Sequence, residues 1–135
     1  MKICISAIAN SLDAQVDPRF GRCPYFVIVD SETLQFEAIP NMASGAMSGA
    51  GIQAAQTIAG KGAKVLITGN VGPNAFQALA AAGVKVVVGA SGTVRQVVEK
   101  YKRGELTETG SATVSGHFGM GMSRGRGQGR RGWET

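Results

Sequence analysis

Residues 64–102, KVLITGNVGPNAFQALAAAGVKVVVGASGTVRQVVEKYK, decide the fold. Two short β-branched runs, 64–68 and 84–88, alternate with two segments of helical spacing, 74–82 and 94–102. In the last of these Val94, Val97, Val98 and Tyr101 fall at i, i+3, i+4 and i+7, and Thr93 stands where an N-cap belongs. Strands separated by short helices imply parallel pairing with right-handed crossovers.

Working outward toward the N-terminus, residues 2–9 are rich in Ile and residues 25–29 form an unbroken aromatic and β-branched run, so both read as buried strands. The opening nine residues resemble a signal peptide only superficially, because the apolar run is short and carries Cys4 and Ser6. Residues 34–39 alternate Leu34, Phe36 and Ala38 against Gln35, Glu37 and Ile39 after the turn Asp30-Ser31-Glu32-Thr33, which predicts a hairpin with the preceding strand. A Gly, Ala, Ser and Met loop over 40–51 then leads to Ile52, Ala55, Ile58 and Ala59 at helical spacing, with Gly60 and Gly62 as the stop. The fold class expected is α/β: a mixed five-stranded sheet flanked by about three helices. One domain over 1–109 carries it, with 105–109 as a short edge element. Residues 110–135, rich in Gly, Arg and Met, hold too little apolar material for a core and read as a disordered tail.

The chain of 135 residues, 44% hydrophobic and 17% charged, has room for one core. Arg124, Arg126, Arg130 and Arg131 against Glu134 give the stretch from Gly116 onward +3 of the net +5, so the body itself carries only +2. The basic balance is therefore weak grounds for a basic face on the body. Two cysteines are too few for a disulfide scaffold, which points to a reducing cytoplasm, and no run is long enough to span a membrane.

Three glycine turns precede the three helices: Ser48-Gly49-Ala50-Gly51, Gly69-Asn70-Val71-Gly72-Pro73-Asn74 and Gly89-Ala90-Ser91-Gly92-Thr93. Their helix starts can share one anion pocket, or they can be the turns that any α/β protein needs. The loop Asp17-Pro18-Arg19-Phe20-Gly21-Arg22-Cys23 packs two guanidinium groups, a ring and a thiol together. Arg19 and Arg22 can clamp an anion, with Gly21 allowing close approach, or pair with Asp13 or Asp17. Cys4 lies within a strand and reads as core. Cys23, whose thiolate nearby arginines would favour, reads either as packing or as a ligand, and His117, the one histidine, either as a solvated side chain or as a ligand; they are the candidate metal ligands, though no CxxC, HxH or HExxH spacing joins them. There is no nucleophile and base arrangement, so the chain does not read as an enzyme.

At Asp17-Pro18-Arg19-Phe20-Gly21-Arg22, Ser48-Gly49-Ala50-Gly51 and Gly69-Asn70-Val71-Gly72-Pro73-Asn74-Ala75, in that order, the chain resembles the dinitrogenase iron-molybdenum cofactor biosynthesis family of NifX-like proteins, from Met1 to about Glu108. The resemblance implies a ribonuclease-H-like fold without nuclease function, and binding or delivery of an anionic iron-sulfur or molybdenum-containing cluster by a carrier rather than a catalyst. Arg19, Arg22 and the helix starts at Gly49, Gly51, Gly69, Asn70, Gly72, Asn74, Gly92 and Thr93 would receive such a cluster, with an inner-sphere bond from Cys23 or His117. It also implies a cofactor-assembly or acceptor protein as partner. A competing expectation is nucleic-acid binding through the tail, where Arg124-Gly125-Arg126-Gly127 and Arg130-Arg131-Gly132 resemble an RGG segment and Trp133 could stack on a base, the alternative being a basic tail that only solubilises the chain. A third is docking of the tail or the Met-rich loop onto a partner enzyme.

Overall fold

A computed structural model describes residues 1–45 and 49–113. Among them, β1 (Lys2–Ala7), β2 (Tyr25–Asp30), β3 (Phe36–Pro40), α1 (Ala50–Gly60), β4 (Val65–Ile67), α2 (Pro73–Ala81), β5 (Lys85–Val87) and α3 (Val94–Lys102) follow in order. The strands form one sheet ordered β3-β2-β1-β4-β5. β1 pairs antiparallel with β2 and parallel with β4, β2 antiparallel with β3, and β4 parallel with β5. The expected α/β architecture, a mixed five-stranded sheet with three helices, is what forms.

Side-chain alternation along the strands divides the core into two layers. Ile3, Ile5 and Ala7 join Val27, Val29, Val65, Ile67 and Val87 beneath Val94, Val97 and Val98 of α3. Cys4, Phe26, Ile28, Leu66 and Val86 face the other way, covered by Ala54, Ala55 and Ile58 of α1 and by Ala75 and Leu79 of α2. So α1 and α2 share one face of the sheet and α3 lies on the other. Both faces of β1 are covered, which is why its sequence shows no polar alternation.

Two local differences from the sequence expectation have clear causes. β3 starts at Phe36 rather than Leu34, because Leu34 adopts φ 63 inside the turn, with its N–H donating to the Asp30 carbonyl at 2.8 Å. The Asp30 carboxylate accepts from the N–H groups of Glu32 (2.8 Å) and Thr33 (3.2 Å) and so fixes that turn. The segment expected to add an edge element contributes an isolated bridge, Val87 to Glu108, with the Thr109 N–H donating to Val86 O at 2.7 Å.

Candidate functional site

Off the carboxyl ends of β1 and β4, residues 18–22, 49–51 and 70–75 line a cleft of about 500 Å³. Crevices at this edge are where open α/β sheets bind ligands. Small residues let three backbones meet. A Cβ on Gly21 would stand 3.1 Å from the Gly51 nitrogen, and one on Gly51 would stand 2.8 Å from the Ala75 Cβ. The Arg-bearing loop therefore rests on the first turn of α1, and that turn on the first turn of α2. A Cβ on Gly69 would fall onto Pro18, which is why glycine stands there. Gly69 acts by allowing this approach, outside the cleft lining, and it lets the Asn70 N–H donate to Pro18 O at 2.8 Å.

The helix starts facing this cleft lack their usual partners. α1 has Gly49 as N-cap at φ 74, a conformation suited to glycine, and α2 has Gly72 followed by Pro73; neither has a side-chain cap or an acidic first-turn residue. Among the described residues no acceptor meets the N–H groups of Ala50, Gly51, Asn74 or Ala75. These donors, at the positive ends of two helix dipoles, belong to residues that line the cleft. α3 differs. Thr93 Oγ1 accepts from the Gln96 N–H at 3.1 Å while Gln96 Oε1 accepts from the Thr93 N–H at 2.9 Å, a complete capping box. Gly92 O is taken by the Val16 N–H at 2.9 Å. The expectation of one pocket shared by three helix starts is thus corrected. Gly92 and Thr93 lie outside the cleft, because α3 covers the opposite face and its N-terminus is already satisfied.

Among the described residues two cations line the cleft, and no lining residue is acidic. Arg19 Nε and Nη2 donate to Asp17 Oδ1 and Oδ2 at 3.0 and 2.8 Å, so the pairing with Asp17 weighed from the sequence is realised alongside the cleft position. The Arg19 side chain stays 65% exposed while Asp17 is 2% exposed. These guanidinium hydrogen bonds hold the Asp17 carboxyl below the usual carboxylate range, against the opposing effect of burial. Asp13 pairs instead with Arg95, Oδ1 to Nε, at 3.3 Å. Arg22 Nη1 donates to Ser44 O at 3.0 Å, linking the loop to the segment that leads into α1.

Phe20 lines the cleft but is 2% exposed, its ring 5.4 Å from that of Phe26, so it forms floor rather than contact surface. Of the two readings of Cys23, packing is the one its placement fits. It is fully buried, Sγ donating to Phe20 O at 3.3 Å, and burial pushes its thiol up to about 12, with the Asp17 charge adding to the rise. Desolvation outweighs the arginines that were expected to favour the thiolate. Cys4 is buried and raised for the same first reason, and neither cysteine is in a disulfide. Among the described residues no group of three or more His, Cys, Asp or Glu is placed to hold a metal ion. His117 and the Arg/Gly tail lie outside the described residues, as do Met47 and Ser48.

Sequence reasoning missed two braces. Buried Asn41 donates from Nδ2 to Gly21 O at 3.1 Å and Cys23 O at 2.9 Å, fixing the Arg-bearing turn; an Asn after the last strand residue, Pro40, was its one available signal. Thr113 N–H donates to Val71 O at 2.9 Å, and the Val71 N–H donates to Thr113 Oγ1 at 2.8 Å. Nothing local in the sequence marks Thr113.

A family model described as dinitrogenase iron-molybdenum cofactor matches residues 1–104. An uncharacterized protein of Methanocaldococcus jannaschii is 30% identical over 110 residues, covering 78% of this chain and 93% of that protein. Among solved structures, the apo form of the orange protein of Desulfovibrio gigas superposes with a TM-score of 0.81 at 46% identity, over 83% of this chain and 95% of that one. A Thermotoga protein of the DUF35 family, provisionally assigned as a NifB protein, superposes with a TM-score of 0.73 at 36% identity, over 83% and 96% of the two chains. Among the described residues no helix is long and apolar enough to cross a membrane.

Proposed function

The chain belongs to the dinitrogenase iron-molybdenum cofactor family, and from that membership and the cleft we propose that it binds and carries an anionic iron-sulfur or molybdenum-containing cluster during metallocofactor assembly in the cytoplasm. The observation that carries this reading is the meeting of two uncapped helix starts with Arg19 and Arg22 around one cleft that no acidic residue lines among the described residues. Such an array suits a cargo with negative charge spread over several sulfide or oxide atoms. Each backbone N–H is a directed donor, and charge-assisted bonds of this kind contribute about 1.5–3 kcal/mol apiece. With both thiols buried, the described part of the cleft holds its cargo through hydrogen bonds and charge rather than through metal-ligand bonds. A carrier benefits from that, since a cluster bound without ligand exchange is released intact to an acceptor protein.

The test is anaerobic titration with tetrathiomolybdate and with preformed iron-sulfur clusters, followed by visible absorbance and amide NMR. Saturable shifts are expected at residues 19–23, 49–52 and 70–75, with α3 unaffected. Absence of shifts at those amides with every cluster tried would remove this reading.

A further inference from the structure

Anion sites gain from positive charge, yet this one places a buried carboxylate directly against one of its two arginines. Asp17 is held with unusual thoroughness. Its N–H donates to Ser6 O at 2.8 Å, and Ser6 Oγ donates back to Asp17 O at 2.6 Å. Ser6 Oγ also lies 2.7 Å from Thr68 Oγ1, and since its proton goes to Asp17, Thr68 is the donor in that contact. Ser6 and Thr68 are both fully buried, one on β1 and the other just past the end of β4. Two adjacent central strands thus spend their buried polar groups on fixing a single loop residue.

What Asp17 does with that fixity is hold Arg19. The carboxylate accepts the Nε and Nη2 hydrogens side by side, and Oδ1 accepts the Arg19 backbone N–H at 2.9 Å as well. Main chain and guanidinium are both tied to one rigid group. The remaining Nη1 and Nη2 hydrogens meet no acceptor among the described residues, and Arg19 lines the cleft. We propose that Asp17 is a positioning residue of the cleft, which converts Arg19 from a swinging cation into a fixed fork whose outer N–H groups face the bound anion. The buried Ser6–Thr68 hydroxyl pair is the footing of that device. This inference rests on the anion-receiving reading of the cleft.

Positioning and simple electrostatics give opposite signs. Removing a carboxylate near an anion site strengthens anion binding if charge is all that matters. If orientation governs, Asp17→Asn weakens it, because the carboxamide Nδ2 turns a donor toward the Arg19 Nη2 hydrogens and breaks the two-point grip. The experiment is tetrathiomolybdate titration of the full chain as wild type, D17N, R19K and the double variant, at low and moderate salt. D17N is expected to bind at least tenfold more weakly at both salt concentrations, R19K by a similar factor, and the double variant no more weakly than either single one. Wild-type or tighter binding by D17N overturns the proposal. Should D17N fail to fold, exposed R19K decides: it keeps the charge, so undiminished affinity overturns the proposal. The state of Arg19 is read separately, from hydrogen exchange at Nε–H without any ligand. Slow exchange in wild type and fast exchange in S6A and D17N is expected, and equal exchange throughout overturns the proposal. If tetrathiomolybdate shifts no cleft amide in wild type, the anion reading has failed, and the exchange measurement alone decides whether Asp17 holds Arg19.

Discussion

Cys23 follows Arg22 directly and lies four residues beyond Arg19, and sequence proximity suggests a reactive thiolate there. Burial decides otherwise, pushing the thiol up to about 12. The linkage follows in sign. A thiol held protonated in the native state binds its proton more tightly than in the unfolded chain, where it titrates near 9.0. Its contribution is therefore whole below pH 9 and declines as pH rises toward 12, at up to about 1.4 kcal/mol per pH unit. Asp17 behaves conversely: its lowered carboxyl supports stability above its unfolded value of 3.8 and loses that contribution as pH falls through its native range. Guanidinium unfolding measured from pH 3 to 11 should show a plateau with both shoulders. Cys23→Ala should shrink the alkaline shoulder, leaving the part that belongs to buried Cys4, and Asp17→Asn should shrink the acid one. Alkylation at pH 8 should leave both thiols unmodified until the chain unfolds.

Between elements, what could be read from the sequence was what is local. α3 occupies residues 94–102 as expected, since its apolar spacing and its Thr93 cap are both short-range signals. β3 shifted because alternation cannot distinguish a strand residue from an apolar turn residue such as Leu34, whose φ of 63 is set by the Asp30 turn. The three glycine turns were legible as helix starts, but not which of them meet. That depends on which face each helix covers, and so on chain connections that no turn motif encodes. Thr113 was invisible for the same reason, and Asn41 had only its place after Pro40 to mark it, since each acts on backbone distant in sequence. Two substitutions separate the helix starts by role. Gly51→Ala drives a methyl to about 2.8 Å from the Ala75 Cβ, so α1 and α2 must part where the cleft forms. A loss of about 1–3 kcal/mol is expected, with anion binding lost as well. Thr93→Ala should cost about 1 kcal/mol through its lost cap and leave the anion titration unchanged. Equal effects of the two on binding would dissolve the distinction between α3 and the other helices.

At the scale of the whole molecule, the question is where the folded body ends. Composition puts the break at residue 109, where apolar content collapses, and the family match ends at residue 104. Hydrogen bonding continues beyond both. Thr109 pairs with Val86 at the β5 edge, and Thr113 then donates its N–H to Val71 O, while its hydroxyl accepts the Val71 N–H and donates to Val71 O at 3.2 Å. Val71 belongs to the cleft wall, between Asn70, bonded to Pro18, and Gly72, which opens α2. The chain after α3 therefore crosses from the far edge of the sheet to the site and braces it, a polar link that no hydropathy reading detects. Chains ending at residues 113 and 109 should consequently differ. The longer, which keeps the Thr113 contacts with Val71, is the reference for thermal unfolding and tetrathiomolybdate affinity. The shorter should lose roughly 1–2 kcal/mol, from a few part-buried hydrogen bonds at about 0.5–1.5 kcal/mol each, and bind more weakly because residues 70–72 are held from one side only. Thr113→Ala in the longer chain keeps the one backbone bond to Val71 O and removes the hydroxyl, so it should fall between the two. If the two truncations are indistinguishable in both stability and affinity, the brace carries no weight and the site is built by the Arg-bearing loop and the two helix starts alone.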